Sequence, residues 1–155
     1  MLLSKPTSYA VRALTCLAIY RNEGPILSTR IAREQSIPAQ FLIKILGTLT
    51  TAGLVRSTRG PGGGFELAVD PRGISLLDVL NIFEGVTLTE VCLLGLGECS
   101  DTTACPVHHR WKTQKLEVMG FLRQTNIAEL ARMRPDSGKS AGGPPPKRKR
   151  AKGTA

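Results

Sequence analysis

The sequence predicts a mainly α-helical protein with one small β-hairpin, arranged as a winged helix-turn-helix followed by a long helix. Apolar residues recur at helical spacing in three segments before residue 53. The glycine-rich run RGPGGG then separates two short segments that have the composition of strands. A further helical pattern begins near residue 106. This order of elements is that of a winged helix-turn-helix.

The first two helices are predicted from their periodicity and their end signals. Apolar residues between Ala10 and Ala18 recur at helical spacing, and the Gly-Pro pair at 24–25 ends the first helix. Cys16 lies on this helix and is expected to be a small buried packing residue. Ser28 is predicted to cap a short second helix, STRIAREQ.

The third helix is predicted to begin near Pro38 and to end before Gly53, which has the place of a left-handed cap. One stripe of this helix is apolar and is predicted to pack inward: Phe41, Leu42, Ile45, Leu46 and Leu49. The opposite face is predicted to point outward: Gln40, Ile43, Lys44, Gly47 and Thr48.

Two strands and two further helices follow. LVRS and FELA are predicted to pair as a hairpin around RGPGGG. Ser75 and Asp78 have the spacing of a capping box at the start of a fourth helix. The apolar residues of that helix are Leu76, Val79, Leu80 and Phe83. Those of the long helix after Pro106 are Val107, Trp111, Leu116, Val118, Met119 and Leu122.

Charge is unevenly distributed along the chain. The net charge is +9, with nine Lys and Arg against four Asp and Glu in residues 1–72, five against seven in 73–133, and seven against one in 134–155. A basic N-terminal half favours an anionic partner, of which nucleic acid is the commonest, although an ordinary solvated surface stays open. Residues 134–155 are predicted to be a disordered basic tail because they hold no aromatic or branched aliphatic residue.

The predicted architecture assigns double-stranded DNA as the partner of residues 1–72. In a winged helix-turn-helix the third helix enters the major groove and the hairpin lies over phosphates or the minor groove. The predicted DNA-binding residues are Ser28, Thr29, Arg30, Gln40, Lys44, Thr48, Arg56, Arg59, Gly62 and Gly63. Two alternatives are a core helix with an ordinary polar face, and a phosphate-cradling loop at RGPGGG. The second lacks a following Gly-Lys-Ser/Thr and leads into a strand.

Three of the four cysteines lie within fourteen residues, CLLGLGECSDTTAC, at positions 92, 99 and 105. Thiolates bind soft or borderline metals, and three in one loop can close around one centre at small cost in chain entropy. The loop therefore favours an iron–sulfur cluster. Zinc, a thiol–disulfide switch and inert cysteines stay open, although zinc more often uses C-x₂-C pairs.

Several segments, occurring in order over residues 1–133, resemble the Rrf-type winged-helix regulators of bacteria. They are LSKPTSYAVRAL, IAREQSIPAQFLIKILGTLTTAGLVRSTRGPGGGFEL, ISLLDVLNIFEG, CPVHHRW and TNIAEL. This family includes the iron–sulfur biogenesis regulator and a nitric-oxide-sensing repressor. The resemblance implies a transcriptional regulator, with repression favoured, in which an iron–sulfur cluster controls DNA affinity in response to iron, redox state or nitric oxide.

The resemblance also implies a ligand set and a homodimer. Cys92, Cys99 and Cys105 match the family's cysteine ligands, and His108 matches the histidine that completes a 2Fe–2S site; 2Fe–2S is favoured, and 4Fe–4S stays open. Residues 73–133 then comprise a helix, the cysteine loop and a long dimerisation helix, which packs on its counterpart in the homodimer. Its stripe of Val107, Trp111, Val118 and Leu122 is expected to lie between the copies.

This chain departs from the family's pattern in three places. Six residues separate the first two cysteines of the loop, where five is the familiar count. Thr7 and Ser8 stand where some nitric-oxide sensors have an acidic ligand, which leaves His108 as the better candidate. Ile43 is apolar where some relatives carry a polar base-contacting residue.

Other classes of protein are not favoured. No Ser-His-Asp order, paired carboxylates beside a glycine loop or nucleotide fingerprint is present, so neither an enzyme nor a small-molecule substrate is expected. No apolar run is long enough to span a membrane, and no signal peptide is recognised. We therefore expect a cytoplasmic protein.

Overall fold

The computed structural model describes residues 3–85, 94, 101–102 and 104–133. Cys92, Cys99 and the basic tail of 134–155, for which predictions were made, lie outside the described residues. Six α-helices and two strands lie within them: α1 (Lys5–Ile19), α2 (Ser28–Gln35), α3 (Ala39–Thr51), β1 (Val55–Thr58), β2 (Gly64–Leu67), α4 (Leu76–Glu84), α5 (His108–Gln124) and α6 (Ile127–Arg132). Among these residues no helix is both long and apolar enough to cross a membrane.

Helix α1 lies at the centre of the fold. It begins at the N-cap Ser4, whose side chain accepts a hydrogen bond from the Thr7 amide, and its inner side is fully buried at Ala10, Ala13 and Leu14. The small alanine side chains let neighbouring elements approach the helix closely. Helices α2, α3, α4 and α6 and strand β2 all contact α1. Cys16 is also buried here, as predicted.

The helix-turn-helix prediction is confirmed, with two corrections. Leu42, Ile45, Leu46 and Leu49 are buried, but Phe41 is 51% exposed. At 100° per residue Phe41 lies at the edge of the inward stripe, and the other four side chains fill the space against α1. Ser28 is the first residue of α2 rather than its cap, since the cap position is Leu27 and no side chain bonds there.

The hairpin that follows α3, here called the wing, is antiparallel, and Val55 lies opposite Leu67. Both strands are displaced from the predicted segments by one residue, toward the C-terminus in β1 and toward the N-terminus in β2. A third backbone segment joins them: the Ile26 amide donates to the Phe65 carbonyl and the Phe65 amide donates to the Ile26 carbonyl, both at 2.8 Å. The wing is therefore attached to the residues that precede α2.

Helix α4 begins with the predicted capping box, in which Ser75 and Asp78 bond each other's backbone amides. Helix α5 packs on α4 through Met119 and Leu122, which are 9% and 3% exposed. The expected partner-facing stripe is thus wrong at Leu122, since that side chain is covered within its own chain. The large apolar residues that α5 does expose are Leu116 and Phe121, at 62% and 61%.

We expect Gly64→Ala to detach the wing from the body of the protein. A Cβ atom at Gly64 would lie 2.5 Å from the backbone oxygen of Ile26, so the two segments would have to separate. The expected loss is about 1–3 kcal/mol of the free energy of unfolding, measured by urea denaturation. Gly73→Ala is the control, because nothing lies within 4 Å of a Cβ there. Equal stability of the two variants would contradict the proposed attachment.

Candidate nucleic-acid interface and cysteine loop

The outward face of α3 presents the predicted polar residues to solvent. Gln40, Lys44 and Thr48 are all exposed and stand about one helical turn apart. The Thr48 hydroxyl donates to the Lys44 carbonyl at 3.1 Å, which holds that side chain along the helix. Among the described residues, no ion pair engages the Lys44 ammonium group. The α3 face therefore offers an amide and a free cation to an incoming ligand.

The wing places two further cations at the surface. Arg56 is exposed and lies 3.8 Å from the Glu66 carboxylate, its partner in the strand register. Arg59 is exposed in the turn, and within the described part of the chain it has no acidic partner. Gly62 is exposed with φ +75°, whereas Gly63 is buried. A Cβ at Gly63 would lie 2.3 Å from the Thr58 carbonyl oxygen, so this glycine shapes the turn.

The start of α2 meets the wing across a shallow cleft. Leu27, Arg30, Gly62 and Gly63 are among the residues that line this space of about 320 Å³. Ser28 is half-buried and Thr29 is exposed beside it. The predicted DNA-binding residues at the start of α2 therefore lie next to those in the turn of the wing.

Arg30 makes most of its contacts within the protein. Its guanidinium donates to Glu23 at 2.8 Å and to Glu34 at 2.9 Å, and it lies 4.1 Å from the centre of the Tyr20 ring. The hydrogen bonds to Glu23 and Glu34 raise the pKa of this arginine above its ordinary value. Arg30 therefore holds α2 against the turn after α1, and its role in DNA binding stays a prediction.

Of the four predicted cluster ligands, Cys105 and His108 are described and lie one turn apart. The His108 amide donates to the Cys105 carbonyl at 2.9 Å, so the loop enters α5 through a tight turn. Cys105 is a free, partly exposed thiol. His108 is 3% exposed. Its neighbour His109 is exposed, with the two ring centres 5.4 Å apart.

A carboxylate orients the His108 ring. The Nε2 atom of His108 lies 2.8 Å from Asp101 Oδ1, and the Lys112 ammonium lies 2.8 Å from Asp101 Oδ2. The hydrogen bonds from Lys112 and then His108 lower the pKa of Asp101 to about 2, so it stays a carboxylate. No sequence pattern points to Asp101 or Lys112. Asp101 precedes His108 by seven residues, and no helical or strand periodicity relates the two positions.

Cys105 and His108 could supply two of the ligands of a metal-bound group. An imidazole held by a carboxylate and a nearby free thiol are groups that commonly bind iron or zinc. No group of three or more metal-binding side chains occurs within the described residues, and the two other cysteines of the loop lie outside them. Cys16 does not belong to such a site, because burial and the charge of Glu34 raise the pKa of its thiol to about 11.

Comparison with known proteins agrees with the fold. The family model of the Rrf2 iron-dependent transcriptional regulators matches residues 3–133. A protein of Aquifex aeolicus is 36% identical over 132 residues, covering 84% of this chain and 91% of its own. The transcriptional regulator IscR of Vibrio cholerae is 33% identical over 131 residues, covering 84% of this chain and 75% of its own.

Among solved structures, the global cysteine regulator CymR of B. subtilis superposes with a TM-score of 0.73 at 26% identity, covering 87% of this chain and 99% of its own. The T. potens IscR superposes with a TM-score of 0.69 at 25% identity, covering 92% and 94%. Since the family model spans all of the described residues, this chain belongs to the Rrf2 family of transcriptional regulators.

Proposed function

We propose that this protein is a cytoplasmic, sequence-specific DNA-binding repressor whose affinity for its operator is controlled by an iron–sulfur cluster in the loop between α4 and α5. The observation that carries the DNA-binding part is the exposed face of α3, with the wing attached beside it by the Ile26–Phe65 hydrogen bonds. An attached wing keeps its cations at a constant distance from α3. Such an arrangement suits a rigid duplex, in which phosphates have regular spacing.

In this proposal α3 lies in the major groove and the wing lies along the backbone. Lys44 and Arg59 contact phosphates or base edges, since both are exposed and have no acidic partner within the described chain. Gln40 reaches base edges, because its amide can both donate and accept hydrogen bonds. Arg56 contributes less charge, as Glu66 lies 3.8 Å from it.

We further propose that the repressor is a homodimer that binds a near-palindromic site. Helix α5 exposes Leu116 and Phe121, which lie about 140° apart around the helix axis and flank the side away from α4. Two large apolar side chains five residues apart on one exposed helix favour burial against a second copy. A two-fold dimer then presents one α3 to each half-site, about one turn of DNA apart.

Cys92, Cys99, Cys105 and His108 are the proposed ligands of the cluster, with 2Fe–2S favoured. When bound, such a cluster supplies a centre that iron supply, oxidants or nitric oxide can alter. Asp101 orients the imidazole, since its Oδ1 atom lies 2.8 Å from His108 Nε2. Lys112 fixes the carboxylate in turn.

A path from the loop to the DNA-binding helices runs through Glu84, the last residue of α4. Its Oε1 accepts hydrogen bonds from the Ser4 amide and the Thr7 hydroxyl at the start of α1. These bonds lower the pKa of Glu84, so it stays charged. Glu84, near the start of the loop, is thereby hydrogen-bonded to α1, the helix on which α2 and α3 pack. Ordering of the loop can therefore change where the DNA-binding helices stand in a dimer.

The second candidate is a regulator of the same DNA-binding mode that holds no iron–sulfur cluster and responds through its thiols or a zinc ion. The superposition with CymR, a global cysteine regulator, favours this candidate, and a CymR of Staphylococcus aureus is also known in an oxidized form. The free and partly exposed thiol of Cys105 is compatible with it. Metal and sulfide analysis distinguishes the two.

The DNA-binding surface is tested by removing the two unpaired cations. We expect Lys44→Ala with Arg59→Ala to weaken binding to an operator enriched from random DNA. The slope of log affinity against log salt should also fall by about 0.9 for each phosphate that the variant no longer neutralises. Arg123→Ala with Arg132→Ala removes the same charge from exposed sites on α5 and α6. If both double variants behave alike, the docking is wrong.

The dimer is tested at the exposed side of α5. Leu116→Asp with Phe121→Asp is expected to raise the dimer dissociation constant about a hundredfold, since an unpaired carboxylate is costly to bury. Sedimentation equilibrium measures this constant. Val69→Asp is the control, because Val69 is 41% exposed and lies outside α5. A wild-type protein that sediments as a monomer at micromolar concentration would contradict the proposal.

The cluster is tested by iron and acid-labile sulfide analysis of anaerobically purified protein. Cys92→Ala, Cys99→Ala and Cys105→Ala are each expected to lose most of the iron and sulfide, because another side chain seldom replaces a thiolate ligand. Cys16→Ala should keep both, since Cys16 is buried in the core. Stoichiometric zinc in the wild type, or full iron and sulfide in Cys99→Ala, would favour the second candidate.

The histidine ligand has a matched control in the adjacent residue. His108→Ala is expected to keep some iron but to change the visible spectrum and to lose its colour faster in air, since imidazole and thiolate ligands tune iron differently. His109→Ala should leave the spectrum unchanged, because His109 is exposed. Identical behaviour of the two variants would remove His108 from the ligand set.

A further inference from the structure

Two large apolar side chains stand among the polar ones at the exposed N-terminal end of α3. Phe41 and Ile43 are each 51% exposed, and neither belongs to a core cluster. Single exposed apolar residues are ordinary on protein surfaces. Here, however, both lie between Gln40 and Lys44, within five residues of the helix that the proposed function places in the major groove.

We propose that Phe41 and Ile43 read the C5 methyl groups of thymine, so that this protein selects A·T pairs by apolar contact beside the hydrogen bonds of Gln40. The inference rests on the proposed DNA-binding function and deepens it. Thymine is the base that carries a methyl group in the major groove, and its partner adenine presents N6 and N7 to an amide. A glutamine and an aliphatic side chain together therefore match the two halves of an A·T pair.

The helix geometry places these groups at the spacing of base pairs. Ile43 follows Gln40 by three residues, and Lys44 follows Phe41 by three, which is about 4.5 Å along the helix axis. Successive base pairs are about 3.4 Å apart. Each apolar side chain thus lies next to a polar one, at a distance that reaches the same or the adjacent base pair.

Gly47 strengthens the argument for close approach to the groove. It lies one turn after Ile43 on the exposed face, and nothing is found within 4 Å of a Cβ built at this glycine. A glycine inside an exposed helix lowers stability by about 0.5–1 kcal/mol relative to alanine. Because Gly47 has no side chain, the middle of α3 can approach the DNA closely. The residues that precede Gly47 can then reach base edges.

Charge complementarity favours DNA over a second protein as the occupant of this face. Lys44 is exposed next to Ile43 in the chain, and residues 1–72 carry nine Lys and Arg against four Asp and Glu. A second protein could also bury Phe41 and Ile43, so the test includes a measurement of the oligomeric state.

The test uses an operator duplex enriched from random DNA with the full-length wild-type protein, followed by replacement of single thymines with deoxyuridine. This replacement removes one methyl group and leaves every hydrogen bond of the pair in place. At one or two thymines per half-site we expect binding to weaken about fourfold, the change that corresponds to burial of one methyl-sized group. At the other thymines affinity should not change.

The variants identify which side chain reads which methyl group. Ile43→Ala should lose the thymine-over-uracil preference at one position and Phe41→Ala at another, while Ile43→Val should keep most of it. Val69→Ala is the apolar control outside α3, at 41% exposure in the wild type, and should keep both preferences. The sedimentation of the α3 variants should equal that of the wild type.

Three results would overturn the inference: equal affinity for every uracil duplex, uracil penalties that stay unchanged at every thymine in both Phe41→Ala and Ile43→Ala, or a change of oligomeric state in these variants. The last would assign the two residues to a protein interface. If random DNA yields no enriched sequence, the proposed function itself fails. The two failures are therefore distinguishable.

Discussion

The packing of neighbouring elements on helix α1 is the interaction on which the rest of the structure depends. Its inner side combines alanines at 10 and 13 with Leu14 and Leu17, all buried. Small residues allow the backbones to approach, and leucines fill the space between them. Helices α2, α3, α4 and α6 all contact α1. The DNA-binding part and the loop-bearing part are thus built on a common helix.

Hydrogen bonds of the backbone and of one carboxylate then define the positions of the wing and of the end of α4, which apolar packing alone does not determine. The paired amides of Ile26 and Phe65 hold the wing beside α2. At the opposite end, Glu84 joins the end of α4 to the first turn of α1. Apolar contacts have little directional preference, whereas hydrogen bonds require a defined geometry. These few bonds therefore determine how the wing and the end of α4 are placed relative to the core.

Three parts of helix α5 have different surroundings. One side packs on α4 through Met119 and Leu122. Leu116 and Phe121 are exposed on the remaining surface of the helix. The N-terminal end carries His108, covered by the chain and held by Asp101. A change in the loop that reached His108 would act on the same helix that contacts α4 and, in our proposal, the second copy. Sensing and assembly would then be coupled through one rigid element.

The sequence by itself determined the order and type of the helices and strands from α1 to α4, the burial of Cys16, the capping box of α4 and the left-handed end of α3 at Gly53, where φ is +75°. It did not reveal that the helical pattern after Pro106 divides into the two helices α5 and α6. These features depend on residues close together in the chain, so periodicity and local hydrogen bonding reveal them. The family resemblance, with its implied ligands, also depends on local motifs. The roles of Cys92 and Cys99 stay predictions on that basis.

Only the tertiary structure decided which neighbour covers each side chain. Phe41 has the spacing of the inward stripe of α3, yet it is half exposed because four other apolar residues already fill the contact with α1. Leu122 has the spacing of a partner-facing stripe, yet α4 covers it. The Ile26–Phe65 and Asp101–His108 pairs join segments that no periodic pattern relates. Periodicity reports the direction of a side chain from its own helix axis, whereas burial depends on the elements that pack against that helix.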